Sequence, residues 1–144
     1  MAILFDKKRS RYIEIQLFSI ADPEWITYKL YGGRFCNKKK CELFKLDREG
    51  LFFHNAYEKE VDILLNNLNN IKELHHYTFE PKDEGEFRLV ADYKNSSIYI
   101  KFFFRVLDNI NSVDMKDKVF NVVTTEPLLY EFLVELEKDY LDII

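Results

Sequence analysis

Glycine and proline are scarce in this 144-residue chain, at four and three residues. That scarcity excludes long flexible linkers, low-complexity segments and the glycine-rich loops that cradle phosphates. Cysteine is rarer still. Cys36 and Cys41 are the whole complement, too few for the multi-bridge framework of a small secreted domain. No run approaches the ~20 apolar residues needed to span a bilayer. The opening MAILFDKKRSR meets basic residues too early for a signal peptide's apolar stretch, so a cytoplasmic location is expected. A basic excess is missing as well: 21 Lys and Arg face 25 Asp and Glu, a net charge of -4. Nucleic-acid-binding domains usually carry the opposite balance.

What the chain has in quantity is apolar and aromatic material. Hydrophobic residues make up 47%, which argues for a folded domain rather than a disordered one. The length suits one domain over residues 1–144, with Lys7, Lys8, Arg9 and Arg11 making residues 1–11 a basic, loosely ordered lead-in. Thirteen Phe and nine Tyr exceed what a small core needs, so some aromatic surface should be exposed.

Alternation and turn residues predict six or seven strands. The first covers about Tyr12–Ser19, with Ile13, Ile15 and Leu17 opposed by Glu14 and Gln16. Trp25–Tyr31 follows and ends at Gly32-Gly33, where a bulge or sharp bend is expected. The lysine turn 38–40 leads to a strand near Cys41–Leu46. Asn55, with Glu58 three residues on, reads as the capping box of a helix whose apolar face is Tyr57, Val61, Leu64, Leu65 and Leu68. Asn66–Asn70 ends that helix, because Asn competes for backbone hydrogen bonds. Tyr77–Glu80 is a short strand. Glu86–Tyr93 and Ser97–Val106 form a hairpin about Lys94-Asn95-Ser96, and Lys118–Val123 is the last strand. Thr125 caps a closing helix with Leu128, Leu129, Phe132, Leu133, Leu136 and Tyr140 as its stripe. The fold class is α+β: one antiparallel sheet of about six to seven strands with two α-helices on one face.

The strand Ser97–Val106 is apolar on both sides. Ile98, Ile100, Phe102, Phe104 and Val106 alternate with Tyr99, Lys101, Phe103 and Arg105. Aromatic rings interleaved with cations can stack bases and hold phosphates, which makes Tyr99, Lys101, Phe103 and Arg105 a candidate nucleic-acid face. The competing expectation is that a helix covers this face, with Lys101 and Arg105 reaching to the rim. Two amphipathic helices and one sheet favour that packing.

Other chemistry is thinly represented. Cys36, Cys41, His54, His75 and His76 are metal-ligand types, but Cys36-x4-Cys41 spans a lysine-rich turn that would repel a cation. Two reduced thiols and surface histidines are the simpler reading, with no metal and no cofactor. No serine sits in a nucleophile elbow, and no constellation specifies a reaction, so a non-enzymatic protein is expected. Acid gathers at Glu80, Asp83, Glu84 and Glu86, at Asp108 and Asp114, and along Glu131–Asp142. Such a surface suits a basic protein partner, since opposite charge speeds association and discriminates between partners.

The order of parts resembles the WapI-type immunity family, small cytoplasmic proteins of bacterial polymorphic-toxin systems. The resemblance rests on the strand Trp25–Tyr31 with Gly33 and Phe35, the leucine-rich helix Val61–Leu68 and the corner Phe79-Glu80-Pro81. A β-hairpin, a last strand and the Leu- and Glu-rich helix Glu126–Leu141 complete it. It implies a non-enzymatic module that neutralises one cognate toxin domain by stoichiometric binding. The residues expected to bind the partner come from the acidic clusters themselves: Glu80, Asp83, Glu84, Glu86, Asp108 and Asp114.

Overall fold

In the computed structural model, which describes residues 1–19, 23–45, 50–82, 87–107 and 115–144, the antiparallel strands form two sheets, not one. The first contains β1 (Ala2–Phe5), β2 (Arg11–Ser19), β3 (Trp25–Cys36) and β4 (Lys39–Lys45) in that spatial order. A further strand, β5 (Gly50–Phe53), pairs with the start of β3. After α1 (Glu60–Asn69) and the single turn α2 (Ile71–Leu74), the second sheet is a meander of β6 (His76–Phe79), β7 (Phe87–Lys94), β8 (Ser97–Leu107) and β9 (Met115–Thr124). The closing helix α3 (Glu126–Ile143) follows directly.

The expected single sheet of six to seven strands is therefore corrected to sheets of five and four strands. The excess lies in β1 and β5, each of four residues, too short for alternation to stand out. The split has a cause as well: the chain leaves the first sheet through α1 and α2, and among the described residues the strands after them pair only with one another.

Buried side chains from both sheets and from α1, α2 and α3 form one continuous core. Helix α3 packs on β1 and β2, α1 touches β5, β6 and α3, and α2 lies on β6 and β7. The N-terminal residues expected as a loose lead-in instead supply β1, whose Ala2 and Leu4 are buried. Its end is stitched to the second sheet. Lys7 N–H donates to the Val123 carbonyl at 2.8 Å, and the Thr124 hydroxyl donates to the Phe5 carbonyl at 2.8 Å.

Local chemistry explains the turns. Asn37 and Lys38 take φ of 51° and 65°, and Asn95 and Ser96 take 51° and 64°. Both pairs are two-residue hairpins of the type whose twist matches the flanking strands. At Gly33 the pairing of β3 with β4 slips by a residue, as the glycine pair suggested. A Cβ there would stand 2.1 Å from the Cys41 carbonyl oxygen. Gly50 is bare for a different reason: the Tyr28 ring, stacked 4.1 Å from that of Phe52, occupies the space of its Cβ.

Helix α3 starts as expected, with the Thr125 hydroxyl accepting from Leu128 N–H at 3.4 Å. Helix α1 does not. The Asn55 side chain accepts from the N–H groups of Tyr57 and Glu58 at 2.9 and 2.7 Å, closing a local turn five residues before the helix begins. Tyr57, expected on the apolar face, is 98% exposed, whereas Val61, Leu64, Leu65 and Leu68 are buried.

In the first turn of α1 the carboxylate of Glu60 is 3% exposed. It accepts from Phe53 N–H and, at 3.0 Å, from Lys82 N–H. One side chain thus joins β5, α1 and the corner after β6. Burial pushes its pKa up, and the two backbone donors oppose that shift. Glu60→Ala orphans both donors, and hydrogen bonds to charged groups contribute about 1.5–3 kcal/mol each. Equilibrium urea unfolding should show a loss of about 2–4 kcal/mol for Glu60→Ala, with Glu60→Gln, which keeps one acceptor, falling between it and the parent.

Candidate interaction surface

The pleat of β8 divides its residues as alternation requires. Ile98, Ile100 and Phe102 are at most 1% exposed and face the core. Tyr99, Lys101 and Phe103 point to the opposite side, and the expectation that a helix covers them is overturned. Tyr99 is 39% exposed, Lys101 is exposed and Phe103 is half-buried. The helices lie on the inner side, where both sheets share them. The Arg105 side chain lies outside the described residues.

Register assembles this outer face row by row. His76, Asp92, Tyr99 and Val123 form one row across the four strands, and Thr78, Val90, Lys101 and Asn121 form the next. Arg88, Phe103 and Val119 form a third. The Arg88 guanidinium lies 4.5 Å from the centre of the Phe103 ring. It also stands 3.5 Å from the Glu80 carboxylate. Val119 is 51% exposed.

His76 Nδ1 is 2.6 Å from Asp92 Oδ1, and its Nε2 is 3.3 Å from the Thr78 hydroxyl. An Nδ1–H donating to Asp92, with Nε2 accepting from Thr78, satisfies all three groups. Arg88 and His76 thus each stand beside a carboxylate. Opposite charges stand side by side between two rings and several valines.

Of the acidic residues expected to bind a partner, Glu80 is exposed and joins this face through Arg88. Asp83, Glu84, Glu86, Asp108 and Asp114 lie outside the described residues. Phe79 and Pro81 are buried on either side of Glu80, so Phe79-Glu80-Pro81 works as a structural corner closed by the Lys82–Glu60 hydrogen bond. Along α3, Asp139 pairs with the N-terminal ammonium, and Glu131 lies 3.9 Å from Arg9.

The surface residues missed in the sequence are Arg88 and Val119. A two-residue turn at Asn95-Ser96 fixes the β7–β8 pairing, and that alone sets Arg88 opposite Phe103. The signal was present in the turn. Val119 follows only from the β8–β9 register, which spans a longer connection.

The metal-ligand types are spread out: Cys36 and Cys41 on the β3–β4 hairpin, His54 after β5, His75 at φ 65° after α2, and His76 on β6. Among the described residues no three metal-ligating side chains gather. A cleft of about 400 Å³ lies between α1–α2 and the start of α3, floored by Leu68, Ile98 and Leu129. Lys72 and Glu126, 3.8 Å apart, line its rim.

A second polar cluster ties α1 and α3 to the end of β5. The buried Tyr140 hydroxyl donates to Asp62 Oδ2 at 3.0 Å and lies 3.2 Å from His54 Nδ1, whose N–H can donate to it. No family model, curated protein or solved structure matches the chain. Among the described residues no helix is long and apolar enough to cross a membrane.

Two predictions follow from these assignments. Burial and the Asp62 carboxylate raise the Tyr140 hydroxyl above its usual 10.0. The folded chain therefore keeps a proton that the unfolded chain releases, and stability falls as pH rises above that value, by up to about 1.4 kcal/mol per unit. Burial also lifts Tyr77, to about 12, so the decline has more than one source. Tyr140→Phe should make the decline between roughly pH 9 and pH 11 shallower without abolishing it. The face assignment is tested by adjacent residues of β8. Phe102→Ala should cost about 3–5 kcal/mol in urea unfolding, whereas Tyr99→Ala and Val119→Ala should each cost about 1 kcal/mol or less.

Proposed function

We propose that this protein is a non-enzymatic binding module that acts by stoichiometric association, as an immunity protein neutralising a cognate toxin domain, and that the outer face of the second sheet is its contact surface. The observation that carries the reading is the outward patch of exposed Tyr99, Lys101 and Val119 around the half-buried Phe103, on a sheet paired across four strands. Interfaces are enriched in Tyr, Phe and Arg at their centres. Rigid aromatic side chains supply contact area at low entropic cost.

The charge pattern favours a protein over RNA. Arg88 is met by Glu80 and His76 by Asp92, and the whole chain is at -4. A polyanion needs a cationic track. Neutralisation would be occlusion: the outer face of the four-stranded sheet seats over the toxin's active site and excludes its substrate.

The test is co-expression with each secreted-toxin domain encoded beside the gene. The expected result is growth rescue and a 1:1 complex by size-exclusion chromatography. Replacing the Tyr99 ring and reversing Lys101, as Tyr99→Ala with Lys101→Glu, should weaken the complex by about 2–4 kcal/mol, roughly 30-fold or more, with the circular dichroism spectrum unchanged. Rescue that is indifferent to both substitutions rejects this surface, and the absence of rescue with every such domain rejects the immunity reading. Saturable binding of single-stranded RNA, lost with Tyr99→Ala and falling steeply with salt, would replace it with the nucleic-acid reading.

A further inference from the structure

Cys36 and Cys41 are separated in sequence by the lysine turn, and the fold brings them together. Register sets Cys41 opposite Arg34 and Cys36 opposite Lys39. Both cysteines therefore project from the same side of the β3–β4 hairpin, as diagonal neighbours one step from its turn. The Cys41 thiol lies 4.0 Å from the Lys39 carbonyl oxygen, and the neighbouring Cys36 pushes its pKa up. Cys36 is exposed and Cys41 half-buried, and both are free. Arg11 extends the row, pairing directly with Arg34. The dithiol is thus flanked on its own face by Arg34 and Lys39, while the Arg11 guanidinium lies 4.3 Å from the centre of the Phe120 ring.

We propose that Cys36 and Cys41 form a reversible thiol–disulfide site that takes its oxidising equivalent from an anionic low-molecular-weight disulfide. The exposed Cys36, as thiolate, attacks one sulfur of the small disulfide. A mixed disulfide forms, and one small thiolate leaves. Cys41 loses its proton to solvent and attacks the Cys36 sulfur of that mixed disulfide, expelling the second small thiolate. The two departing thiolates take up the two protons, so two protein thiols and one small disulfide become one protein disulfide and two small thiols.

Geometry sets the character of this bond. Diagonal strand neighbours stand ~7–8 Å apart at Cα, whereas disulfides favour about 5.5–6 Å. Closure must pull the strands together. The hairpin end can yield, because Cys36 to Cys41 spans only the type I′ turn and its first pairs. A bond closed against that resistance belongs with the labile, easily reduced disulfides rather than the structural ones. Arg34 and Lys39 hold an anionic partner near the sulfurs, and the half-buried Cys41, whose pKa its neighbour Cys36 pushes up, is placed to resolve rather than to attack.

The experiment treats the full chain with oxidised glutathione and reads intact mass and alkylatable thiols. The expected product is a monomer two hydrogens lighter with no alkylatable thiol, restored by excess reduced glutathione. Cys41→Ser should trap one glutathionyl group on Cys36, whereas Cys36→Ser should react at least about tenfold more slowly. Oxidised glutathione should react roughly tenfold faster than the dication cystamine, and added salt should narrow that gap. Stable double glutathionylation, disulfide-linked dimers, or equal rates with both reagents would overturn the proposal. Because both variants alter exposed or half-exposed positions, circular dichroism should show them folded. A disulfide that forms but resists reduced glutathione would equally refute the reversible site.

Discussion

The helices join two sheets, with α3 on β1 and β2, α2 on β6 and β7 and α1 reaching both β5 and β6, and most of the architecture follows from that arrangement. A twisted sheet buries a face only where something packs against it. Here one set of helices serves the nine strands of the described residues, and their apolar stripes face the inner sides that form the core. The outer faces go without helical cover. Rings on those faces are met by cations instead. Arg88 lies over Phe103, Lys29 over Phe18 at 5.1 Å, Lys82 over Phe53 at 5.8 Å and Arg9 over Phe5 at 5.4 Å. Each such pair contributes about 0.5–1 kcal/mol at an exposed site. The aromatic excess noted in the composition is therefore surface, clad in long basic side chains.

The junctions between layers are held by buried polar groups rather than by more apolar surface. Glu60 collects two backbone donors where β5 meets α1 and the corner after β6. Thr124 reaches from β9 to the end of β1. Glu14, 6% exposed, takes Lys40 at 2.6 Å and Gln16 at 2.7 Å, fastening the β4 edge to β2. Placed where strands from different parts of the chain must meet, such groups are costly if left unpaired. They act as alignment constraints on a fold whose long-range pairings are numerous.

Legibility in the sequence tracked the range of the interaction. The strands β2, β7 and β8, the Asn95-Ser96 turn, the Gly33 bulge and the Thr125 cap rest on neighbours a few residues apart, and they stand where alternation and turn chemistry put them. Strands β1 and β5 were hidden because four residues show too little periodicity. The start of α1 was misplaced because Asn55 bonds its own neighbours, a choice that tertiary contacts at Glu60 decide. The division into two sheets depends on which strands never pair, and no local pattern encodes that. The same limit governed the surface. That Tyr99, Lys101 and Phe103 share a face was readable, but which face the helices occupy required knowing that α3 packs on β1 and β2. With one sheet expected instead of two, the helices had only that sheet to cover, and the bare face was read as a covered one.

A pleated strand also separates what must stay constant from what can change. Along β8, Ile98, Ile100 and Phe102 are committed to the core, while Tyr99 and Lys101 between them touch little of it. Substituting the outward residues alters the chemistry of the face at small cost in stability, because their neighbours lie across strands on that face and not in the core. The backbone beneath is set by a two-residue turn and an eleven-residue strand paired on both sides. Little ordering is then needed when a partner arrives, which preserves the binding energy that mobile loops would lose. The outward residues Tyr99, Lys101, Asn121 and Val119 can therefore change without disturbing the core that positions them, because the sheet beneath is fixed by its own pairing and by the inward residues.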